Sequence, residues 1–223
     1  MNIKSKKAKA RIVILFFIVG VVLCLPSLAE DPRDTVFYQA GIYAGEKLRG
    51  SQPGTADSTV AMYATANDFN IPKDYYDATV QELIVSGNDQ DTAENLAQQI
   101  LFYKFSLYSE AEKAGCIVSD DHVEQVIADT RAGIRNAINK SDYYNYLDGM
   151  GISEEAYFES QFENIKMYES ISAYKELMFQ AFVGTSLNEE SNVQNAVYEK
   201  SWEEELESIV SLAIDKQDII ILE

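Results

Sequence analysis

Apolar residues recur at helical spacing over most of this chain, and the punctuation between the runs is unusually explicit. Ala93, Leu96, Ala97, Ile100, Leu101, Leu107, Tyr108, Ala111 and Ala114 mark one helix stripe. Asp91 and Glu94 stand at capping-box spacing at its start, where two carboxylates serve orphan N–H groups reciprocally. Gly115 stops it, as a residue at ease in the left-handed C′ conformation, and Cys116 and Ile117 are expected to fold back on the last turn. Ser119 caps the next helix, with Asp120 and Asp121 in the first turn where the dipole favours negative charge. Val123, Val126, Ile127, Ile134 and Ile138 give that helix its apolar positions. Gly151, Ser153, Glu154 and Glu155 repeat the stop-and-cap pattern. The long helix they open carries Tyr157, Phe158, Phe162, Ile165, Tyr168, Ile171, Leu177, Met178 and Phe182.

Elsewhere the pattern is shorter. Residues 30–50 are ambiguous: Val36, Phe37, Tyr38, Ile42 and Tyr43 suit a helix, while Gly41, Gly45 and Gly50 weaken it. Residues 50–58 read as a linker, and 59–65 have strand composition. Asn67 and Asp68 make a turn, and Ile71, Pro72, Lys73 and Asp74 open a helix that runs through Leu83 and Ile84. A break is expected at residues 184–188, then a helix over 189–213, then a strand over 218–222. Two short strands at opposite ends of a domain each present free N–H and C=O groups. Residues 60–64 are therefore predicted to pair with 219–222. The expected fold class is mainly α with a small two-stranded β element joining the ends.

The first residues set a compartment. Lys4, Lys6, Lys7, Lys9 and Arg11 precede an unbroken apolar run over 12–25, followed by Pro26, Ser27, Leu28 and Ala29. This is the grammar of a signal peptide with a small-residue cleavage site. The run is shorter than the ~20 residues that span a bilayer comfortably, which favours cleavage after Ala29 over an uncleaved anchor built from residues 12–29. With a basic N-terminus held in the cytoplasm, the remainder of the chain is exported in either case. The organisation expected is residues 1–29 as signal peptide or anchor, 30–58 as an N-terminal segment and linker, and 59–223 as one domain.

Setting the leader aside sharpens the charge. The whole chain carries 18 Lys+Arg against 36 Asp+Glu, a net −18. The leader holds five of the basic residues and no acidic ones, so the remaining 194 residues carry 13 against 36, or −23. So acidic a surface repels phosphate backbones, and nucleic acid is not expected as a partner. Beyond the leader only Cys116 is left, so no internal disulfide staples the fold.

The stretch from Glu110 through Lys113, Ala114, Gly115, Cys116, Ile117, Val118, Ser119, Asp120 and Asp121 to Ile127 resembles the N-terminal chaperone domain of the SurA/PrsA-type extracytoplasmic foldases. That helical module is related to the chaperone domain of trigger factor. The order of the other segments is similar too. A short strand leads into a helix near residue 71, with Pro72 where the family has a hydroxyl cap. A third helix follows a Gly-Ile-Ser-x-Glu start at residues 151–155. A last helix carries Trp202, Leu206, Ile209, Leu212 and Ala213, ahead of Ile219. The resemblance covers about residues 59–222. It implies a SurA-like, ATP-independent chaperone that binds unfolded or exported polypeptides without cofactor or metal. It also marks an omission, since foldases of this type carry a prolyl isomerase domain between the third and last helices. Only residues 182 to about 189 separate those helices here, too few for any domain. His122 is the only histidine. No enzyme activity is expected.

Several residue groups bear on chemistry. Asp120, Asp121, His122 and Glu124 have metal-ligand types, but successive helical residues point apart and the caps account for the aspartates. Glu203, Glu204, Glu205 and Glu207 lack EF-hand spacing and read as a solvated face. Aromatic residues offer more. Tyr143, Tyr144 and Tyr146 fall within four positions, so no single helix face buries all three. With Phe158, Phe162, Met167 and Tyr168 they are the candidate polypeptide-binding residues, an aromatic-rimmed apolar cradle of broad, adaptable contact area. Set against each of them is the plainer role of packing helix on helix. The alternative function is a cell-envelope scaffold with one dedicated partner. Membrane contact is expected only through an uncleaved leader.

Overall fold

A computed structural model describes residues 36–50, 61–186 and 195–222. The expected leader and linker, and Thr59 and Val60 of the expected strand, lie outside the described residues, as do 187–188 of the expected break and 189–194, where the last helix is expected to start. Among the described residues, seven helices and a three-stranded antiparallel sheet make the protein mainly α. In chain order these are α1 (Val36–Gly50), β1 (Met62–Thr65), β2 (Asn70–Pro72), α2 (Lys73–Val85), α3 (Gln90–Lys113), α4 (Asp120–Asn136), α5 (Lys140–Met150), α6 (Glu154–Ser186), α7 (Asn195–Asp215) and β3 (Ile220–Ile221).

The glycine stops and serine caps behave as their residue types dictate, but Asp91 is not the N-cap of a capping box: α3 already begins at Gln90, and Glu94 Oε1 accepts from the Gln90 side chain. Gly115 and Gly151 take φ of 70° and 69°, the left-handed region that costs glycine nothing. Ser119 Oγ accepts the His122 N–H at 3.3 Å, and Ser153 Oγ accepts the Ala156 N–H at 3.1 Å. The Cys116 N–H reaches back to the Ala111 carbonyl at 2.8 Å, so the turn after Gly115 folds onto its own helix.

Three further expectations are corrected. The β element has three strands, because residues 70–72 form β2 rather than the opening of a helix. Proline disfavours helical backbone at the residue before it and tolerates an edge strand, so Ile71 extends and α2 starts only at Lys73. The long helix does not break at Gly184 but runs on to Ser186. Ile138 is fully exposed beyond the end of α4 and packs on nothing, since that helix stops at Asn136. The predicted closure of the chain is present: Ala64 pairs with Ile221 and Thr65 with Ile220, antiparallel.

The fold divides into two compact units, neither continuous in sequence. The first holds α1, residues Gln81–Asp89 and Glu124–Gln161. The segment whose pattern is ambiguous is thus a helix with a partner, and its glycines explain why. α1 lies so close to α5 that a Cβ on Gly41 would fall inside the Tyr146 carbonyl oxygen, and one on Gly45 would meet the Met150 carbonyl. Gly149 answers from the other helix, where a Cβ would strike the Tyr38 carbonyl. The glycines that lower helix propensity here permit backbone-to-backbone contact instead.

The second unit holds residues 61–80, Gln90–Val123 and 162–222, with two apolar centres. In one, Leu107 and Ala111 of α3, Ile171 and Tyr174 of α6 and Ala213 of α7 are buried together, with Cys116, Met167, Met178, Ile209 and Val210 around them. In the other, Ala64 of β1, Ile71 of β2 and Leu101 of α3 are buried under Tyr63, Phe69, Tyr75, Tyr76, Phe105 and Ile219. Burying a side chain such as Leu101 or Ile71 is worth about 1.5–3 kcal/mol relative to leaving it in water.

Candidate polypeptide-binding surface

The seven candidate aromatic and apolar residues do not form one exposed rim. Tyr143, Tyr144, Tyr146 and Phe158 belong to the first unit, and Phe162, Met167 and Tyr168 to the second. Tyr143 and Phe158 are interior, Tyr146 is half-buried, and Tyr144 is exposed. Their rings interlock edge to face through Tyr157: its ring centre lies 6.0 Å from that of Tyr143, 6.3 Å from Tyr146 and 5.5 Å from Phe158. Burial pushes the Tyr143, Tyr146 and Tyr157 hydroxyls well above their usual range. This cluster packs a helical unit and leaves Tyr144 as its outward face. In the second unit Met167 packs against the larger core, and Tyr168 lies under the Lys104 ammonium, 4.3 Å from the ring centre.

Lys104 carries no signal in the sequence pattern. It sits at a core position of α3 and is buried. Its ammonium donates to Tyr75 Oη and Asn164 Oδ1 and also lies 4.9 Å from the centre of the Tyr75 ring. Tyr75 Oη in turn donates to Asn164 Oδ1 at 2.9 Å. Two ring faces and two oxygens thus replace the hydration a buried ammonium loses. Beside this group, Tyr63 and Tyr76 stack with ring centres 3.7 Å apart, and burial pushes the Tyr76 hydroxyl up to about 12.

A second polar group ties the tail to the β1–β2 turn. Asp68 Oδ2 accepts from Lys113 Nζ at 2.6 Å, Gln217 Nε2 at 2.7 Å and Ser109 Oγ at 3.2 Å. The Lys113 and Gln217 hydrogen bonds hold the Asp68 carboxyl below its ordinary range, and Asp68 in return raises Lys113. The main chain adds an Asn67 N–H to Gln217 carbonyl bond of 2.8 Å. Gln217 is wholly buried.

Two of the residues weighed for metal chemistry, His122 and Asp120, are engaged elsewhere. His122 Nε2 meets Glu169 Oε2 at 2.8 Å, and Lys166 Nζ meets Asp120 Oδ1 at 2.6 Å, fastening the start of α4 to α6. Among the described residues no three His, Cys, Asp or Glu side chains gather as a metal site. Glu203, Glu204, Glu205 and Glu207 are exposed. No helix among the described residues is long and apolar enough to cross a membrane.

Exposed apolar residues are scattered, at Ile100, Ile117, Ile138 and Leu212 among others, and two groups stand out that the aromatic residues of the sequence do not indicate. On α6, Leu177 is 45% exposed and Phe179 37%. Phe179 and Phe182 flank Trp202 of α7, with ring centres 5.2 and 5.7 Å from the indole. The second group is at β3, where Ile220 and Ile221 are 62% and 48% exposed and Leu222 continues the exposed stretch. A comparison of the chain with family models, with curated proteins and with solved structures finds no match.

Proposed function

We propose that this is an exported, ATP-independent chaperone-like protein that holds non-native polypeptides against apolar surface, without cofactor or isomerase activity. The observation that carries the reading is the α6–α7 surface in the second unit. There Leu177 and Phe179 stand in solvent beside an aromatic group centred on Trp202. Apolar side chains of this size are what a weak, non-directional binder of extended apolar stretches needs. The tail returning to β1 is in keeping with the SurA/PrsA-type arrangement that the sequence resembles, while the short stretch 187–194 between α6 and α7 departs from it by leaving no room for an isomerase domain. A net charge of −23 beyond the leader, 13 Lys+Arg against 36 Asp+Glu, would keep a loaded complex in solution.

The test is aggregation of a heat-labile client protein followed by light scattering. Suppression at an equimolar to severalfold excess of the purified protein supports the reading, and no suppression at excess ends it. Affinity capture from the cell envelope adds a second arm. Many substoichiometric proteins are expected, whereas one dominant stoichiometric partner would mark a dedicated scaffold instead.

A further inference from the structure

The two outer strands of the sheet are built differently. Among the described residues the order β2-β1-β3 leaves β2 and β3 at the edges. β2 ends in Pro72, which has no N–H to offer, and its pairing with β1 is irregular between Met62 and Ala64. Proline and irregular pairing are devices that keep a sheet edge from recruiting another strand. β3 has neither: residues 219–222 read Ile-Ile-Ile-Leu. The Leu222 N–H donates inward to the Tyr63 carbonyl at 2.8 Å. In an antiparallel ladder, alternate residues face opposite sides, so the N–H and C=O of Ile221 turn away from β1. Ile220 and Ile221 are exposed on the two faces of that strand.

Carboxylates predominate near this edge, and Lys216, the exposed cation among them, is turned toward Glu110 at 3.4 Å. Asp218, exposed and at φ 45°, precedes β3, and Asp215 is exposed just before it. Lys73, after β2, is paired with Asp77 at 2.9 Å.

We propose that the outer edge of β3 accepts an extended polypeptide segment as a fourth strand, and that the segment it takes is apolar with lysine or arginine at its flanks. The Ile221 N–H and C=O supply main-chain pairing that is indifferent to client sequence, while Ile220 and Ile221 supply apolar contact. The surrounding carboxylates select the flanking charge. This rests on the reading of the protein as a polypeptide binder, and names a place and a class of segment for it.

The probe is a ten-residue peptide with an alternating Val-Thr core and two lysines at each end, compared with the same core flanked by glutamates. Both are titrated against the whole protein at low salt, by anisotropy of a label on the peptide. The lysine-flanked peptide is expected to bind more tightly by roughly tenfold or more. It should also slow amide hydrogen exchange at Ile221. The variant Ile221→Pro removes the outward donor but none of the bonds to β1, and should lose that binding while leaving the melting transition in place. Ile221→Thr keeps the donor and should retain most of it.

Binding unchanged by Ile221→Pro, or equal for the two peptides, overturns the proposal. So does sedimentation showing a dimer that Ile221→Pro abolishes with no peptide bound, since the edge would then pair with a second copy of the chain. Client holding in the light-scattering assay is read separately. If it is present while the peptide arm fails, only the edge proposal is lost. If it is absent while the peptide binds in this way, the broader chaperone reading is lost and the edge stands.

Discussion

Asp68 and Gln217, 149 residues apart, grip each other at both ends of the glutamine amide. Gln217 Nε2 donates to Asp68 Oδ2 at 2.7 Å, and the Asp68 N–H donates to Gln217 Oε1 at 3.2 Å. This pair, more than the two-residue strand β3, fixes the tail to the sheet. A wholly buried amide with both ends engaged is costly to remove, because its partners are left without bonds. Gln217→Ala should therefore lose about 1–3 kcal/mol of stability. Urea unfolding would show it, and amide exchange at Leu222 should quicken at the same time. A variant as stable as the parent would mean that the strand holds the tail without the clasp.

The same clasp sets an acid dependence. Hydrogen bonds from Lys113 and Gln217 lower the Asp68 carboxyl from an ordinary 3.8. A group whose folded value is depressed adds stability that is fully present above the unfolded value and disappears as pH falls through the folded one. Stability should thus be flat from neutral pH to about 4.5 as far as Asp68 is concerned, and fall below about 4. Asp68→Asn should be less stable at neutral pH and show a shallower decline below pH 4, as read from urea midpoints. Parallel pH profiles for parent and variant would remove Asp68 from the account.

The glycines of the α1–α5 contact separate propensity from packing. Gly133 in α4 has open space where a Cβ would go, so Gly133→Ala should stabilise by about 0.4–1 kcal/mol. At Gly41 the new Cβ meets the Tyr146 backbone, which cannot turn aside as a side chain would. Overpacking of this kind costs about 1–3 kcal/mol, more than the helix-propensity gain returns. Opposite signs in thermal melts of the two variants are expected. A stabilised Gly41→Ala would mean that α1 does not pack on α5 as described.

Helix grammar is legible in the sequence because it is local. Gly115, Ser119, Gly151 and Ser153 do their work within a few residues, and each lies where the cap geometry needs it. The pairing of β1 with β3 comes from the need to satisfy strand edges, a long-range argument with one economical solution. The features that are not legible depend on neighbours far along the chain. Gly41 and Gly45 weaken a helix until Gly149 is brought against them, and Lys104 reads as a polar interruption of an apolar stripe until Tyr75, Asn164 and Tyr168 surround it. The tyrosines at 143, 144 and 146 signal a crowded site correctly. Their burial against Tyr157 turns on the position of a different helix, which spacing alone does not give. Residues 70–72 mislead because Pro72 suits the first turn of a helix and the end of an edge strand equally well in isolation.

Lys104 provides a test of how a buried ammonium is accommodated. Tyr75 and Asn164 are bonded to each other at 2.9 Å and keep that bond if the amine is removed. Lys104→Met preserves volume and the aromatic contacts, so the loss should be about 1 kcal/mol, as when buried ionic groups give way to apolar ones. Lys104→Ala also opens a cavity and should lose about 2–4 kcal/mol. Urea midpoints ranked parent, Met, Ala are expected. A Met variant as damaged as the Ala variant would show the charge itself to be indispensable.

Trp202 is the chain's only tryptophan, and it lies in the surface on which the proposed function rests. Its indole is partly buried between Phe179 and Phe182, so a client covering Leu177 and Phe179 should exclude water around it and shift its emission to shorter wavelength. Both α6 residues are part-exposed and Phe179 packs on Trp202, so the double variant Leu177→Ser with Phe179→Ser should cost about 1–3 kcal/mol of stability, and it is assayed well below its melting transition. There it should need severalfold more protein to suppress client aggregation. Emission and scattering must move together: a client that is held without moving the Trp202 signal, and held equally well by the double variant, binds somewhere other than the α6–α7 face.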